Sequence, residues 1–331
     1  MKIGFFELEK WEEEYIKEKF KGQNLSFYNF PLNLSNVNKA KDIDIIVCFI
    51  YSELNKNILA KLPKVKFITT MSTGFNHIDL EYCKKKGIKV SNVPSYGENT
   101  VAEHAFGLML TLSKNLDEAI ENTKRDDFSL KGLMGFDLKG KTLGVVGVGR
   151  IGQHVVKIAK GFEMNILGYS SKKDSKLSKD FGFTWVSFPD LLKKSDIITF
   201  HVPLTKDTKH MINMNNVSRI RKGAYIINTS RGEIIETKAL LYGLDNGIIA
   251  GAGLDVLEGE DDMKEHKALL YNYNKEAVDT FLRNHLLLKE KNVVITPHSA
   301  FFTKEALQRI LDTTIENVKA FSKGKVVNSV Y

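Results

Sequence analysis

The apolar run Leu143-Gly144-Val145-Val146 ends in Gly147-Val148-Gly149-Arg150-Ile151-Gly152, and few local patterns restrict a chain so strongly. A strand that must turn into a helix within a few residues needs Gly147 at the tight turn. Gly149 then leaves the backbone bare for close approach of a phosphate, and Gly152 lets the helix lie near the sheet. Between Gln153 and Phe162, Val155, Val156, Ile158 and Ala159 fall at spacings that suit a helix with one buried face, and 164–169 reads as the next buried strand. An ordinary strand-to-helix turn accounts for one such glycine, not three. Strand, glycine turn, helix and strand together are the setting of a dinucleotide site, whose phosphates rest on N–H groups at a helix N-terminus.

Strand-like runs alternate with helical periodicity through the rest of the chain: 3–6, 43–49, 67–70, 89–91, 142–146, 165–169, 197–200, 225–228, 251–255 and 293–295. Such alternation predicts parallel sheets with helices on both faces. A long apolar helix is expected from Thr100 through Ala102, Ala105, Leu108, Met109 and Leu112, lying between two domains. The glycine turn follows it, so the dinucleotide domain is central. If the last helix, 303–323, returns to the first domain, the two crossings form a hinge beside one cleft. The expected boundaries are 1–99 with 300–331 for a discontinuous substrate domain and 100–299 for the dinucleotide domain.

Composition narrows the class. The 331 residues are 43% hydrophobic and 27% charged, as in a soluble globular protein of two domains. No apolar run approaches the roughly 20 residues of a membrane span, and the first residues read as a strand, not a signal peptide. Cys48 and Cys83 have no disulfide or metal spacing; both are expected reduced and buried, as in a cytoplasmic protein without a metal site. The net charge of +8 is scattered over lysines on helix faces and loops, without the concentrated stripe of a nucleic-acid reader. It suits attraction of anionic cofactors and carboxylate substrates.

Three more positions bring chemistry to strand ends. Arg231 follows the strand ending at Asn228, where ligands of open parallel sheets collect, and its guanidinium can hold a carboxylate through two parallel hydrogen bonds. Asp255 and Glu260 follow another strand, and His298 follows Val293-Val294-Ile295-Thr296-Pro297. Taken singly, these read as a surface salt-bridge arginine, loop caps and a structural histidine; together they deliver polar groups to one edge.

The motifs Ser72-Thr73-Gly74-Phe75-Asn76-His77-Ile78-Asp79, Pro94-Ser95-Tyr96, Val101-Ala102-Glu103-His104, the glycine turn, His201-Val202-Pro203, Ser230-Arg231-Gly232, Asp255 to Glu260 and Thr296 to Phe302 occur in one order along nearly the whole chain. In that order they resemble the D-isomer-specific 2-hydroxyacid dehydrogenases, and within them the D-lactate dehydrogenase branch. The resemblance implies a flavodoxin-like substrate domain, a Rossmann NAD(P)-binding domain and a homodimer joined near the long helix. It implies a catalytic set of Arg231, Glu260 and His298. His298 would pass a proton to the carbonyl oxygen of a small 2-oxo acid, such as pyruvate, Glu260 would orient the ring, and Arg231 would bind the carboxylate. Main-chain N–H groups of Thr73 and Gly74, and the Tyr96 hydroxyl, would complete the substrate contacts, with Phe301 shaping the pocket. Arg150 and Ile151 would lie over the pyrophosphate and Val202, Pro203 and Thr208 beside the adenosine. Thr229, Ser230 and Asp255 belong to the same cofactor set, Thr229 and Asp255 towards the nicotinamide.

Two departures matter. Met71 stands where many relatives have arginine, and Ser170 stands where NAD-preferring members have aspartate. An aspartate there would accept from the ribose hydroxyls and repel a 2′-phosphate, whereas Ser170, Ser171, Lys172 and Lys173 leave both NAD and NADP open. Glyoxylate or hydroxypyruvate reduction is the rival activity, since pocket shape alone separates it from lactate formation. A dinucleotide-sensing transcriptional co-repressor is the rival from another class. Residues 261–291 read as an insertion, with Asn272-Tyr273-Asn274 followed by a helix-like segment from Glu276 to Leu282.

Overall fold

The computed structural model describes residues 1–260 and 275–331. They form two compact units, Met1–Tyr96 with Thr303–Tyr331, and Gly97–Phe302. Of the expected insertion, Asn272, Tyr273 and Asn274 lie outside the described residues.

The first unit holds β1 (Lys2–Phe6), α1 (Lys10–Lys19), β2 (Asn24–Tyr28), β3 (Ile45–Cys48), α2 (Lys56–Leu59), β4 (Phe67–Thr70), α3 (Leu80–Lys86) and β5 (Lys89–Ser91). Its strands are parallel in the order β2-β1-β3-β4-β5. Every residue of β3 and β4 is buried, which is why both read as unbroken apolar or β-branched runs. Strand β3 is shorter than the apolar run predicts. Ile43 is fully buried, but its N–H bonds the carbonyl of Ala40 in a turn, so its hydrophobicity reports core packing and not pairing. Strand β2, an edge strand with no fully buried residue, escapes sequence reading because Asn24–Tyr28 holds no β-branched or continuous apolar run.

The second unit opens with α4 (Glu98–Lys114) and α5 (Leu116–Lys124). It continues through β6 (Thr142–Val146), α6 (Arg150–Gly161), β7 (Asn165–Tyr169), α7 (Ser175–Phe181), β8 (Thr184–Trp185), α8 (Phe188–Lys194), β9 (Ile197–Phe200), β10 (Ala224–Asn228), α9 (Thr237–Asp245), β11 (Ile249–Leu254), α10 (Lys275–Leu287) and β12 (Val293–Ile295). The parallel sheet runs β12-β11-β10-β9-β6-β7-β8. Its order reverses between β6 and β9, the switch point beside which doubly wound sheets bind nucleotides. Helix α4 shares a core with this sheet: Ala102, Ala105, Phe106, Leu108 and Met109 cluster with Val145, Val155 and Ile227. The chain returns to the first unit as α11 (Lys304–Ser322), where Phe321 stacks on Phe67 at 4.4 Å between ring centroids. Cys48 and Cys83 are buried free thiols, and burial pushes Cys83 up to about 12. Among the described residues no helix is long and apolar enough to cross a membrane, and no group of metal-ligating side chains converges.

Candidate active site

The glycine turn leaves β6 at the switch point. Gly147 has φ +94, and a Cβ there would lie 2.5 Å from the carbonyl oxygen of His201 and 2.7 Å from Val202 Cγ1. Gly152 packs as closely, its absent Cβ falling 2.1 Å from the Gly147 carbonyl oxygen. By contrast, nothing lies within 4 Å of a Cβ on Gly149, the N-cap of α6. Open space over Gly149, beside the first N–H groups of a 12-residue helix at Arg150, Ile151 and Gly152, fits a pyrophosphate. The Gly147 N–H donates to the Tyr169 carbonyl at 2.8 Å, which holds Ser170 next to the turn. Ser171, Lys172 and Lys173 are exposed. On the other side of the turn, Thr208 Oγ1 donates to the Pro203 carbonyl at 2.6 Å and accepts from Thr205 N–H, so this hydroxyl fastens its own loop. Burial pushes His201 down to about 3 and leaves its ring neutral.

The registers Asn228↔Leu254 and Leu254↔Ile295 align the carboxyl ends of β10, β11 and β12. Arg231, Asp255, Glu260 and His298 all leave from this edge. Asn228, 1% exposed, holds the Arg231 turn: its Nδ2 donates to the Arg231 carbonyl, and its Oδ1 accepts from the N–H and hydroxyl of Ser230. The exposed Arg231 guanidinium spends Nη1 on the Ser230 carbonyl at 2.7 Å, and its other donors meet no described residue. Thr229 Oγ1 is buried with no partner among the described residues, as expected of an atom facing a ligand's polar edge.

His298 sits in the left-handed region, φ 54, which residues other than glycine adopt uncommonly and histidine more readily than most. Its Nδ1–H donates to Glu260 Oε1 at 2.6 Å. The histidine loop is tied down by Asp255, which is 1% exposed and accepts from Thr296 Oγ1, Ser299 N–H and Ala300 N–H. Because Thr296 spends its hydroxyl proton on Asp255, it accepts from His104 Nε2 at 3.0 Å. The Asp255 carboxylate thus caps the histidine loop. The parts played by Asn228, Thr296 and His104 had no sequence signal beyond membership of a motif. Phe301, half-buried, meets Phe302 edge-on at the end of this loop.

In the first unit, Thr73 Oγ1 donates to the Val93 carbonyl, Asn92 Nδ2 donates to the Thr73 carbonyl, and Ser72 Oγ donates to the Gly74 carbonyl. These bonds occupy the carbonyls, and no described residue bonds the N–H of Thr73 or Gly74. His77, pushed down to about 4 by burial, meets Thr70 Oγ1 at 3.2 Å below this loop. The Tyr96 carbonyl accepts from Arg309 of α11.

Residues 106–300 match the D-isomer specific 2-hydroxyacid dehydrogenase, NAD binding domain, family. D-lactate dehydrogenase of Escherichia coli is 35% identical over 331 residues, covering 98% of each chain. A glyoxylate reductase of Thermococcus litoralis is 38% identical over 295 residues, 87% of this chain and 83% of that one. Among solved structures, D-lactate dehydrogenase of Aquifex aeolicus complexed with NAD and lactic acid superposes with a TM-score of 0.84 at 38% identity, covering 97% and 96% of the two chains. With two parallel sheets and this sheet edge, these matches show that the chain belongs to the D-isomer-specific 2-hydroxyacid dehydrogenase family, on its D-lactate dehydrogenase branch.

Proposed function

We propose that the chain reduces small 2-oxo acids to D-2-hydroxy acids, with pyruvate as its leading substrate. The observation that carries this reading is the 2.6 Å bond between His298 and Glu260, on the sheet edge that also delivers Arg231. A bound reduced nicotinamide supplies the hydride. Glu260 holds Nδ1, so Nε2 is the nitrogen that presents a proton to the substrate's carbonyl oxygen. Arg231 takes the carboxylate in a two-bond fork and draws charge from the adjoining carbonyl. The free N–H groups of Thr73 and Gly74 and the Tyr96 hydroxyl are the substrate contacts of the first unit, and Phe301 favours side chains as small as methyl.

For the cofactor we assign NADPH as well as NADH. No carboxylate stands at Ser170 to repel a 2′-phosphate, and Ser171, Lys172 and Lys173 offer it donors and positive charge. Steady-state kinetics with pyruvate, glyoxylate, hydroxypyruvate and branched 2-oxo acids, each with both reduced cofactors, test the whole reading. Pyruvate is expected to give the highest kcat/KM, with NADH favoured over NADPH by less than about 100-fold, or roughly 2.7 kcal/mol. Ser170→Asp should raise the NADH preference by about tenfold. Glyoxylate or hydroxypyruvate ahead of pyruvate moves the assignment to the reductase named among the relatives. Dinucleotide binding without turnover of any 2-oxo acid favours the sensing role.

We also assign a second copy of the chain to the apolar segment between α5 and β6, where Phe128, Leu130 and Met134 are 77%, 85% and 93% exposed. Sedimentation at twice the chain mass of 37.4 kDa is expected; a monomer at micromolar concentration removes this assignment.

A further inference from the structure

The geometry points to Glu258 as the positioning residue that aligns Glu260 and Arg231 together, an inference that rests on the catalytic reading above. Its side chain is fixed at both oxygens by residues outside that catalytic set. Oε1 accepts from His210 Nε2–H at 2.5 Å, and Oε2 accepts from the N–H and Oγ1 of Thr237, each at 2.9 Å, at the start of α9. The Glu258 carbonyl accepts from Asn284 Nδ2 of α10 at 2.9 Å. His210 is itself held in the left-handed region, φ 52, by its N–H on the Glu233 carbonyl and by Asn213 Nδ2 on its own carbonyl. Three separate elements therefore grip one residue.

That grip reaches two catalytic groups. Glu260 stands two residues further on, after Gly259 with φ 66, and its N–H bonds back to the Leu257 carbonyl at 3.2 Å. The Arg231 turn leans on the same backbone: a Cβ on Gly232 would lie 2.0 Å from both the carbonyl carbon and the oxygen of Leu257, and 2.3 Å from Glu258 N. Displacing Glu258 therefore moves the floor under Arg231 and the stem of Glu260 at once. The cavity against Glu258, lined by Asn228, Gly232, Thr237 and Leu287, is about 10 Å³, room for one water.

What the fixation requires is hydrogen bonding and not charge. Glutamine can accept from Thr237 with its oxygen and donate its amide N–H to a neutral His210 ring, so Glu258→Gln is the conservative variant; Glu258→Ala releases every side-chain anchor. A misplacement of this kind costs about 10²-fold in kcat. Glu258→Ala is expected to lose that much per dinucleotide-binding site and to raise KM for the oxo acid. Dinucleotide Kd should stay within about twofold, because the glycine turn is untouched. Glu258→Gln should recover most of the loss.

The readout independent of turnover is the low-field proton resonance of the short His298–Glu260 hydrogen bond, assigned by its disappearance in His298→Gln. It should persist in the unmodified protein and in Glu258→Gln and vanish in Glu258→Ala. Should Glu258→Ala fail to fold, His210→Ala releases one anchor while Thr237 keeps the other, and the same resonance should broaden. A resonance unchanged in a folded Glu258→Ala protein overturns the inference whatever the kinetics. A resonance that behaves as expected in a protein that reduces no oxo acid overturns only the functional reading.

Discussion

His298→Ala is expected to lower kcat for 2-oxo acid reduction by about 10² to 10⁴-fold, the usual contribution of a positioned proton donor. Dinucleotide Kd measured by fluorescence should hardly move, because the glycine turn and α6 make no use of the histidine. Backbone strain complicates the variant: alanine at φ 54 meets the left-handed penalty of about 1 kcal/mol, which asparagine largely avoids. His298→Asn is therefore the cleaner companion, and both should lose turnover alike. Equal losses of turnover and dinucleotide affinity would remove His298 from the proton-donor role.

Gly147→Ala should act at the opposite end of the chemistry, through binding. The new methyl would lie 2.5 Å from the His201 carbonyl oxygen, a backbone atom that cannot swing aside, on a residue whose φ of +94 disfavours any side chain. Both sides of that clash are anchored, since the Gly147 N–H bonds the Tyr169 carbonyl and the His201 N–H bonds the Val146 carbonyl. Destabilisation of roughly 3 to 5 kcal/mol and loss of detectable dinucleotide binding are expected, read by thermal unfolding and by titration. Unimpaired binding in a folded Gly147→Ala protein would mean that the phosphates do not sit on this turn.

The glycine turn was legible because its reason is local: three glycines answer to backbone atoms of the turn or to open space beside it. The buried strands β4, β6 and β9 were legible for a related reason, since a strand covered on both faces writes its burial into consecutive residues, while the edge strand β12 was legible only as the β-branched run Val293-Val294-Ile295. Edge strands β2 and β8 left no such mark. Strand β11 starts two residues earlier than 251–255 and ends at Leu254, because Asp255 has turned to cap the histidine loop. Chemistry-bearing residues at strand ends were visible by type, but their supports were not. His104 meets Thr296 across 192 positions and His210 meets Glu258 across 48, and no periodicity records which partner a buried polar atom will find.

The interleaved course of the chain imposes an order of synthesis. Gly97–Phe302 is continuous, so the dinucleotide-binding unit has every strand of its sheet once Ile295 has left the ribosome. The first unit, begun earlier, is finished later. Asn317 of α11 supplies bonds to the Thr69 hydroxyl and the Asn92 carbonyl, 248 and 225 positions upstream, and Phe67 waits for Phe321. Until those last residues emerge, the loop carrying Thr73 and Gly74 hangs on a sheet without its final fastening. A nascent chain thus completes its central unit before the unit it began with, and a chain stopped just short of α11 would be one finished unit trailing an unfinished one.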